Sequence, residues 1–375
     1  MYGLETHLRR SNGAIMTTKA DSNETPVEIV GAEAFEQPWS EKEDDDLEHR
    51  QMALFASATS ERTTNTIHLY DIAPKFTYSG RELNVAESAF RQRTMKVANV
   101  EYVVEVQAAR IQHKTGEEVL IYPGEREECI EDSLRKLATS GNGVFINGEA
   151  GVRFTLYELR ADLQKHKHTY SWPQLREGLY VLRRAGLRIT NKKTGESWEE
   201  GFLSRLVEGG KRSSENGYKY ELWYASFHKL VTKSITDLSY RQMNYPRLMS
   251  IPGQLAKYIY KRMVSVYIYA DLEKPYQPTL VQLMEESGRG MSPEMKNNIK
   301  AMNRALEQLK CEGAILHAEE HERTKAGRKV VNIRYNIYPT PTLVNEIIEA
   351  NKKQKELRAT TNIHEIQKLK DSITT

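Results

Sequence analysis

The sequence predicts an α+β fold in which one small unit, helices followed by a β-hairpin, occurs twice behind an acidic lead. Three observations predict it. Apolar residues recur at helical spacing in two separate stretches, and each stretch runs on into strand-like sequence closed by a glycine-bearing turn. The two stretches share a local pattern, Thr-Leu-x-[Glu/Gln]-Leu, at Thr155 and at Thr279, which marks an internal duplication. Charge is uneven: residues 1–60 hold 5 of the 54 Lys and Arg but 12 of the 51 Asp and Glu, which leaves 49 basic against 39 acidic in the rest. An acidic head on a basic body points to nucleic acid as a partner.

Composition narrows the class. The 375 residues suit two to three domains at ~150 residues each. Hydrophobic residues make up 39% and charged residues 28%, enough for ordinary cores. No run approaches the ~20 apolar residues of a membrane-spanning helix, and no secretory leader is evident, so a cytoplasmic protein without membrane partners is expected. Cys129 and Cys311 can form neither a disulfide framework nor a zinc cage. Both read as reduced, buried thiols in helices.

The elements follow in order. Residues 1–60, with Glu41, Glu43, Asp44, Asp45, Asp46 and Glu48, read as a disordered acidic tail. Residues 61–93 form a linker with an apolar island at 67–76. Residues 94–122 read as one hairpin turning at 113–116, and Pro123-Gly124 ends it. A helix over 125–138 has Ile130, Leu134 and Leu137 on one face. Thr155 opens a second helix with Leu156, Leu159 and Leu163 inward. After a polar turn at 166–170, Ser171 caps a third, with Pro173 just inside and Leu175, Leu179 and Leu182 on its apolar side. Gly186 stops it. A short strand, a basic turn at 191–195 and strands at 202–207 and 218–227 complete the first unit.

The second unit repeats this grammar. A helix spans 253–270, and Thr279 opens the next. Gly288-Arg289-Gly290 turns the chain, and Ser292-Pro293 restart a helix whose core side is Met295, Ile299, Met302, Leu306 and Leu309. Gly313 stops it. A strand at 314–316, a hairpin tip at 325–328 and a return over 330–337 follow. Residues 343–370 read as a charged surface helix that frays.

Helix, helix, turn, capped helix, strand and basic hairpin is the order of a winged helix-turn-helix. The expected divisions are a disordered tail (1–60), a linker (61–93), a first winged helix with an N-terminal hairpin (94–235), a second (236–340) and a charged C-terminal segment (341–375). A recognition helix needs an apolar back and a cationic front. In the second copy, steps of ~100° per residue from Met302 put Lys296, Asn297, Lys300 and Arg304 on the far side. Asn pairs with adenine, and Arg or Lys with guanine. In the first copy Ser171, Gln174, Glu177 and Arg184 face outward, with Arg176 on the flank, and Glu177 is suited to cytosine. The hairpins supply phosphate contacts: Lys192 and Lys193 at one tip, Arg323, Lys325, Arg328 and Lys329 at the other.

Catalytic chemistry finds no support. His166 and His168 are two apart and His317 and His321 four apart, neither pair with a third ligand nearby, so no metal is expected. Gly141-Asn142-Gly143 lacks the Lys-Ser/Thr of a phosphate loop. No His-x-His pair flanked by apolar residues accompanies a tyrosine nucleophile. Tyr258, Tyr260, Tyr267 and Tyr269 read as helix packing. No enzyme activity and no cofactor are expected.

Two further stretches carry a resemblance. FTLYELRADLQ…HTYSWPQLREGLYVLRRAGLRI at 154–189 and LSYRQMNYPRLMSIPGQLAKYIYKRM at 238–263 resemble the iteron-binding replication initiators of bacterial plasmids, the TrfA-like and RepA-like proteins built from two winged helices. A third element, TIHLYDIAP at 66–74, is similar to the place where TrfA-like proteins carry a Gln-Leu-Ser-Leu-Phe-type peptide that docks on the replicative sliding clamp. Thr66, Ile67, His68, Leu69 and Tyr70 occupy that place, without the leading glutamine. The resemblance implies binding to repeated origin sites and melting of an adjacent AT-rich segment. It also implies recruitment of the host initiator and replicative helicase, copy-number control, and dimers that repress their own gene. Two alternatives remain from the residues alone: a transcriptional repressor that binds operators without opening DNA, and an adaptor whose winged helices bind protein.

Overall fold

The computed structural model describes residues 46–57, 60–77, 82–83, 89–97, 99–112, 116–209, 211–213 and 219–373, all within the unit Lys42–Thr375. In chain order come α1 (Asp46–Ser57), β1 (Thr63–Ile67), the single turn α2 (His68–Asp71), β2 (Glu82–Leu83), β3 (Phe90–Val97), β4 (Val100–Gln107), β5 (Ala109–Gln112) and β6 (Glu118–Ile121). Then follow α3 (Glu125–Leu137), a π turn over Ala138–Asn142, β7 (Gly143–Ile146), β8 (Glu149–Thr155), α4 (Leu156–Lys165) and α5 (Trp172–Arg184). Five strands succeed them: β9 (Gly186–Asn191), β10 (Ser197–Gly201), β11 (Leu203–Val207), β12 (Lys211–Ser213) and β13 (Lys219–Phe227). The chain continues through α6 (Lys229–Thr236), β14 (Tyr240–Asn244), α7 (Tyr245–Ser250), α8 (Gln254–Val266), α9 (Leu280–Glu286) and α10 (Met295–Cys311). It closes with β15 (Ile315–Ala326), β16 (Lys329–Pro339) and α11 (Pro341–Ile373). The fold is α+β, with small sheets whose strand pairs are all antiparallel.

The helix starts follow from side-chain chemistry. Thr155 caps α4: its hydroxyl accepts from Glu158 N at 3.1 Å while Glu158 Oε2 accepts from Thr155 N at 2.7 Å. Thr279 caps α9 the same way, accepting from Gln282 N at 3.3 Å. Ser171 caps α5, with proline in the first turn. The restart expected at Ser292 falls instead at Met295, with Glu294 as cap. Buried Asn298 holds Ser292 outside the helix by bonding its N–H at 2.8 Å and its carbonyl at 2.9 Å.

The apolar faces pack as the spacing predicts. Leu156, Leu159, Leu163, Leu175, Leu179 and Leu182 are buried, as are Leu280, Leu283, Met302, Leu306 and Leu309. Helices α3 and α5 cross tightly at Gly178, where an added Cβ would lie 2.5 Å from Ile130 Cδ1.

Several expectations need correction. Residues 94–122 form two hairpins, not one: β3 pairs β4 in full register, and β5 pairs β6 from Ala109↔Ile121 to Gln112↔Glu118. Residues 113–115 of the expected turn lie outside the described residues. The stretch assigned to a disordered tail includes α1, whose Met52 and Phe55 are buried; residues 1–45 lie outside the described residues. The C-terminal helix is anchored rather than frayed over its first turns: Leu343, Ile347, Ala350 and Leu357 are buried, and Asn351 accepts from Arg241 at 2.6 Å. Cys129 is buried but Cys311 is exposed. Tyr258 and Tyr260 are core, whereas Tyr269 stands in solvent.

The polar side of α3 is also buried. Glu127, Glu128, Glu131, Asp132 and Arg135 are all inside, where the periodicity leaves them to solvent. Arg135 bridges Asp71 and Asp132, both at 2.6 Å. Lys261 of α8 reaches Asp132 at 2.9 Å and Glu128 at 3.0 Å. Lys75 reaches Glu131 at 2.7 Å. Burial alone would lower the Lys261 ammonium, but Asp132 and Glu128 outweigh it and hold its pKa above the ordinary lysine value. This ionic seam ties the segment around Asp71 and Lys75, α3 and α8 to one another.

Candidate nucleic-acid interface

Helix α10 turns its apolar stripe to the core and a cationic face outward. Lys296, Asn297, Lys300 and Arg304 are all exposed. Lys296 pairs with its neighbour Glu294 at 3.2 Å, in solvent, where such a pair contributes little. Lys300 and Arg304 have no ion-pair partner among the described residues. Arg304 rims a shallow cleft with Pro252, Glu307 and Gln308.

The hairpin β15–β16 follows α10 directly and is exposed along nearly all of β15. Gly327, at φ +61°, makes its tip. Lys325, Arg328 and Lys329 surround that tip, exposed and without an ion pair among the described residues. Arg323 is different: Glu320 accepts from its Nε at 2.5 Å. Lower on the ribbon, His317 stacks on Tyr338 with ring centroids 4.4 Å apart. No group of three or more His, Cys, Asp or Glu placed to hold a metal occurs among the described residues.

Helix α5 presents its polar groups differently. Ser171 and Gln174 bond to each other's backbone N–H in the helix cap. Arg176 pairs with Glu221 of β13 at 2.7 Å and lies over Trp223. Glu177 pairs with Arg126 of α3 at 2.8 Å. Arg184 covers the Tyr180 ring and donates to the Arg110 carbonyl at 3.4 Å. Each of these five residues is therefore engaged by the chain itself.

Two placements overturn the sequence expectation. The turn with Lys192 and Lys193 does not extend the sheet beside α4 and α5. Strand β9 pairs with β4 as well as β10, so this hairpin belongs to the sheet β10-β9-β4-β3, and Lys192 pairs with Glu101 at 2.6 Å. The strand following α5 that joins the β8 sheet is β11, through β13, with β12 on the same β13. In β12, Lys211 lies opposite Glu221 and Arg212 opposite Tyr220 in the strand register.

The expected clamp-docking peptide is internal. Thr66 and Ile67 belong to β1, which pairs with β14, and Thr66, Ile67 and Tyr70 are buried. Asp71 accepts from Thr66 Oγ1 at 2.9 Å and from Ile67 N at 2.7 Å, and Tyr70 donates to Glu131. His68 and Leu69 are half-buried, and Leu69 packs on the core. These side chains hold the seam together and are not presented to a partner's groove.

No helix among the described residues is long and apolar enough to cross a membrane. No protein-family model matches the chain, and no curated protein matches it. Among solved structures it is similar to domains 2 and 3 of RctB, in two crystal structures. Identities are 10% and 11% and TM-scores 0.44 and 0.43, over 73% and 76% of this chain and 96% and 99% of those chains. It is also similar to the Pi initiator protein in complex with iteron DNA, at 12% identity and TM-score 0.39, over 58% of this chain and 95% of that one.

Proposed function

We propose that this chain is a sequence-specific, double-stranded DNA-binding replication initiator that acts at repeated sites of a plasmid-type origin. The observation that carries the reading is the outward face of α10, where Asn297, Lys300 and Arg304 stand exposed beside the basic tip of β15–β16. In this reading α3–α5 with β11–β13, and α8–α10 with β15–β16, are two winged helices. The N-terminal half of α10 enters a major groove, Asn297 meets adenine, and Lys300 and Arg304 meet guanine. Lys325, Arg328 and Lys329 neutralise phosphates alongside. The two units read successive turns of one duplex, about 20 base pairs in all.

The steps beyond binding rest on the family resemblance at 154–189 and 238–263. They are opening of an adjacent AT-rich tract, recruitment of the host initiator and replicative helicase, and a homodimeric state that represses the chain's own gene and limits copy number. The role is non-enzymatic, needs no cofactor and is exercised in the cytoplasm on origin DNA.

In vitro selection from random duplexes with the full chain tests the reading. Enrichment of one site of about 20 base pairs is expected, with log K falling by ~0.9 per neutralised phosphate as log salt rises. Absence of enrichment, or affinity insensitive to salt, would reject it. Permanganate reactivity of an AT-rich tract beside cloned copies of the site then separates initiator from operator-binding repressor: an initiator unpairs thymines, a repressor does not.

A further inference from the structure

Five side chains of α5 and its cap are expected from the sequence to meet DNA: Ser171, Gln174, Arg176, Glu177 and Arg184. All five are held by the chain itself. Trp172, the first residue of α5, is 40% exposed. Behind it lies the Arg160 guanidinium, 4.5 Å from the ring centroid, with its Nε buried and lacking a hydrogen-bond partner. One turn earlier on α4, Tyr157 is 63% exposed. Lys165 and Lys167, on the last turn of α4 and the loop after it, are exposed and have no ion pair among the described residues. The acids of this stretch are sequestered: Thr155 donates to Glu158 at 2.7 Å and Ser133 donates to Asp162 at 2.5 Å. No exposed acid occurs between residues 153 and 176.

An aromatic ring backed by a cation, with two exposed lysines in the turn of chain that leads to it, is complementary to a polyanion that offers an apolar contact. In the major groove of duplex DNA, the apolar group on the base edges is the C5-methyl of thymine. Resting on the reading of this chain as a duplex reader, the geometry points to Trp172 as a specificity-determining residue that packs on a thymine methyl. Arg160 holds the ring from behind, and Lys165 and Lys167 meet the flanking phosphates. The first unit thus reads by apolar contact and the second by hydrogen bonds.

Deoxyuridine, which lacks only that methyl, provides the test. Each thymine of the selected duplex is replaced singly, and affinity is measured for wild type, Trp172→Ala and Trp172→Phe. At one or more thymines the wild type should bind roughly fourfold more weakly without the methyl, the worth of one buried carbon group. Trp172→Ala should bind both duplexes alike there, and Trp172→Phe should keep the preference. Cooperative melts above the assay temperature for all three proteins establish that each is folded when affinity is measured. Indifference of the wild type at every thymine, or unchanged discrimination by Trp172→Ala, would overturn the assignment while leaving DNA reading intact. Failure to select any site would overturn both.

Discussion

Helices α5 and α10 each follow a threonine-capped helix and lead into a strand, and their polar faces have opposite fates. On α5 the charged groups end on other parts of the chain: Arg176 on Glu221, Glu177 on Arg126. On α10 Lys300 and Arg304 end in solvent. Similar helical periodicity thus yields one face stitched to the rest of the chain and one left in solvent. A helical wheel finds which side is polar, but only the tertiary partners tell whether the charge is spoken for. The ionic seam of α3 and α8 carries the stitched condition to its limit.

Lys261 should show the largest effect. Lys261→Met leaves Glu128 buried without its ion-pair partner and Asp132 with Arg135 alone, and should cost about 3–5 kcal/mol of folding stability in denaturant melts. A loss under 1 kcal/mol would mean that the seam is open to water, and would erase the contrast between interior and surface charges.

His228 gives the next effect. Burial first, and the Lys75 charge second, push its imidazole down from 6.5 to about 4. Between those values the unfolded chain binds the extra proton. The stability contributed is whole above pH 6.5 and is lost as pH falls toward 4, by up to about 3 kcal/mol. Melts across this window should show the slope, and His228→Gln should flatten it; parallel curves would contradict the assignment.

On the open face, Arg304→Ala or Lys300→Ala should weaken binding to the selected site by about 1–3 kcal/mol and relax sequence choice. An equal loss on random duplex would demote them to phosphate contacts. The smallest effect belongs to the stitched face: Arg176→Ala should change DNA affinity by no more than about 0.5 kcal/mol, because its guanidinium already serves Glu221 in a half-exposed pair. A drop as large as that of Arg304→Ala would collapse the comparison.

Much of the architecture was legible in the residues. Thr155, Ser171 and Thr279 announce helix starts because a cap is made within three residues of itself. Leu175, Leu179 and Leu182 mark a buried face because a helix brings them into line. The positions of Lys300 and Arg304 on the outer side of α10 follow from the same geometry. What escaped depends on partners far along the chain. Asp71 lies 64 residues from Arg135, and Glu128 lies 133 residues from Lys261, so the acids of α3 look like a solvated face until the fold closes over them. The Lys192–Lys193 turn was misplaced for the same reason: its strand β9 is claimed by β4, about 85 residues earlier. The segment at 66–70 resembles a free peptide because its hydrophobicity is local, whereas the strand that receives it, β14, begins at Tyr240.

Among the described residues the ribbon β15–β16 pairs with no other full strand. Beyond the bridges from Tyr276 and Thr279 near its base, both its margins offer unsatisfied backbone groups, a template on which a second molecule could align. Glu319, Glu320 and Glu322 sit on this stretch, and its register slips between Glu320 and Glu322. Glu320 and Glu322 pair with Arg323 and Arg334, so these carboxylates are balanced within the ribbon, and the kinked ladder disfavours the addition of a further strand. Within the ribbon, the cations left without an ion pair among the described residues are therefore those of the outermost turn, Lys325, Arg328 and Lys329.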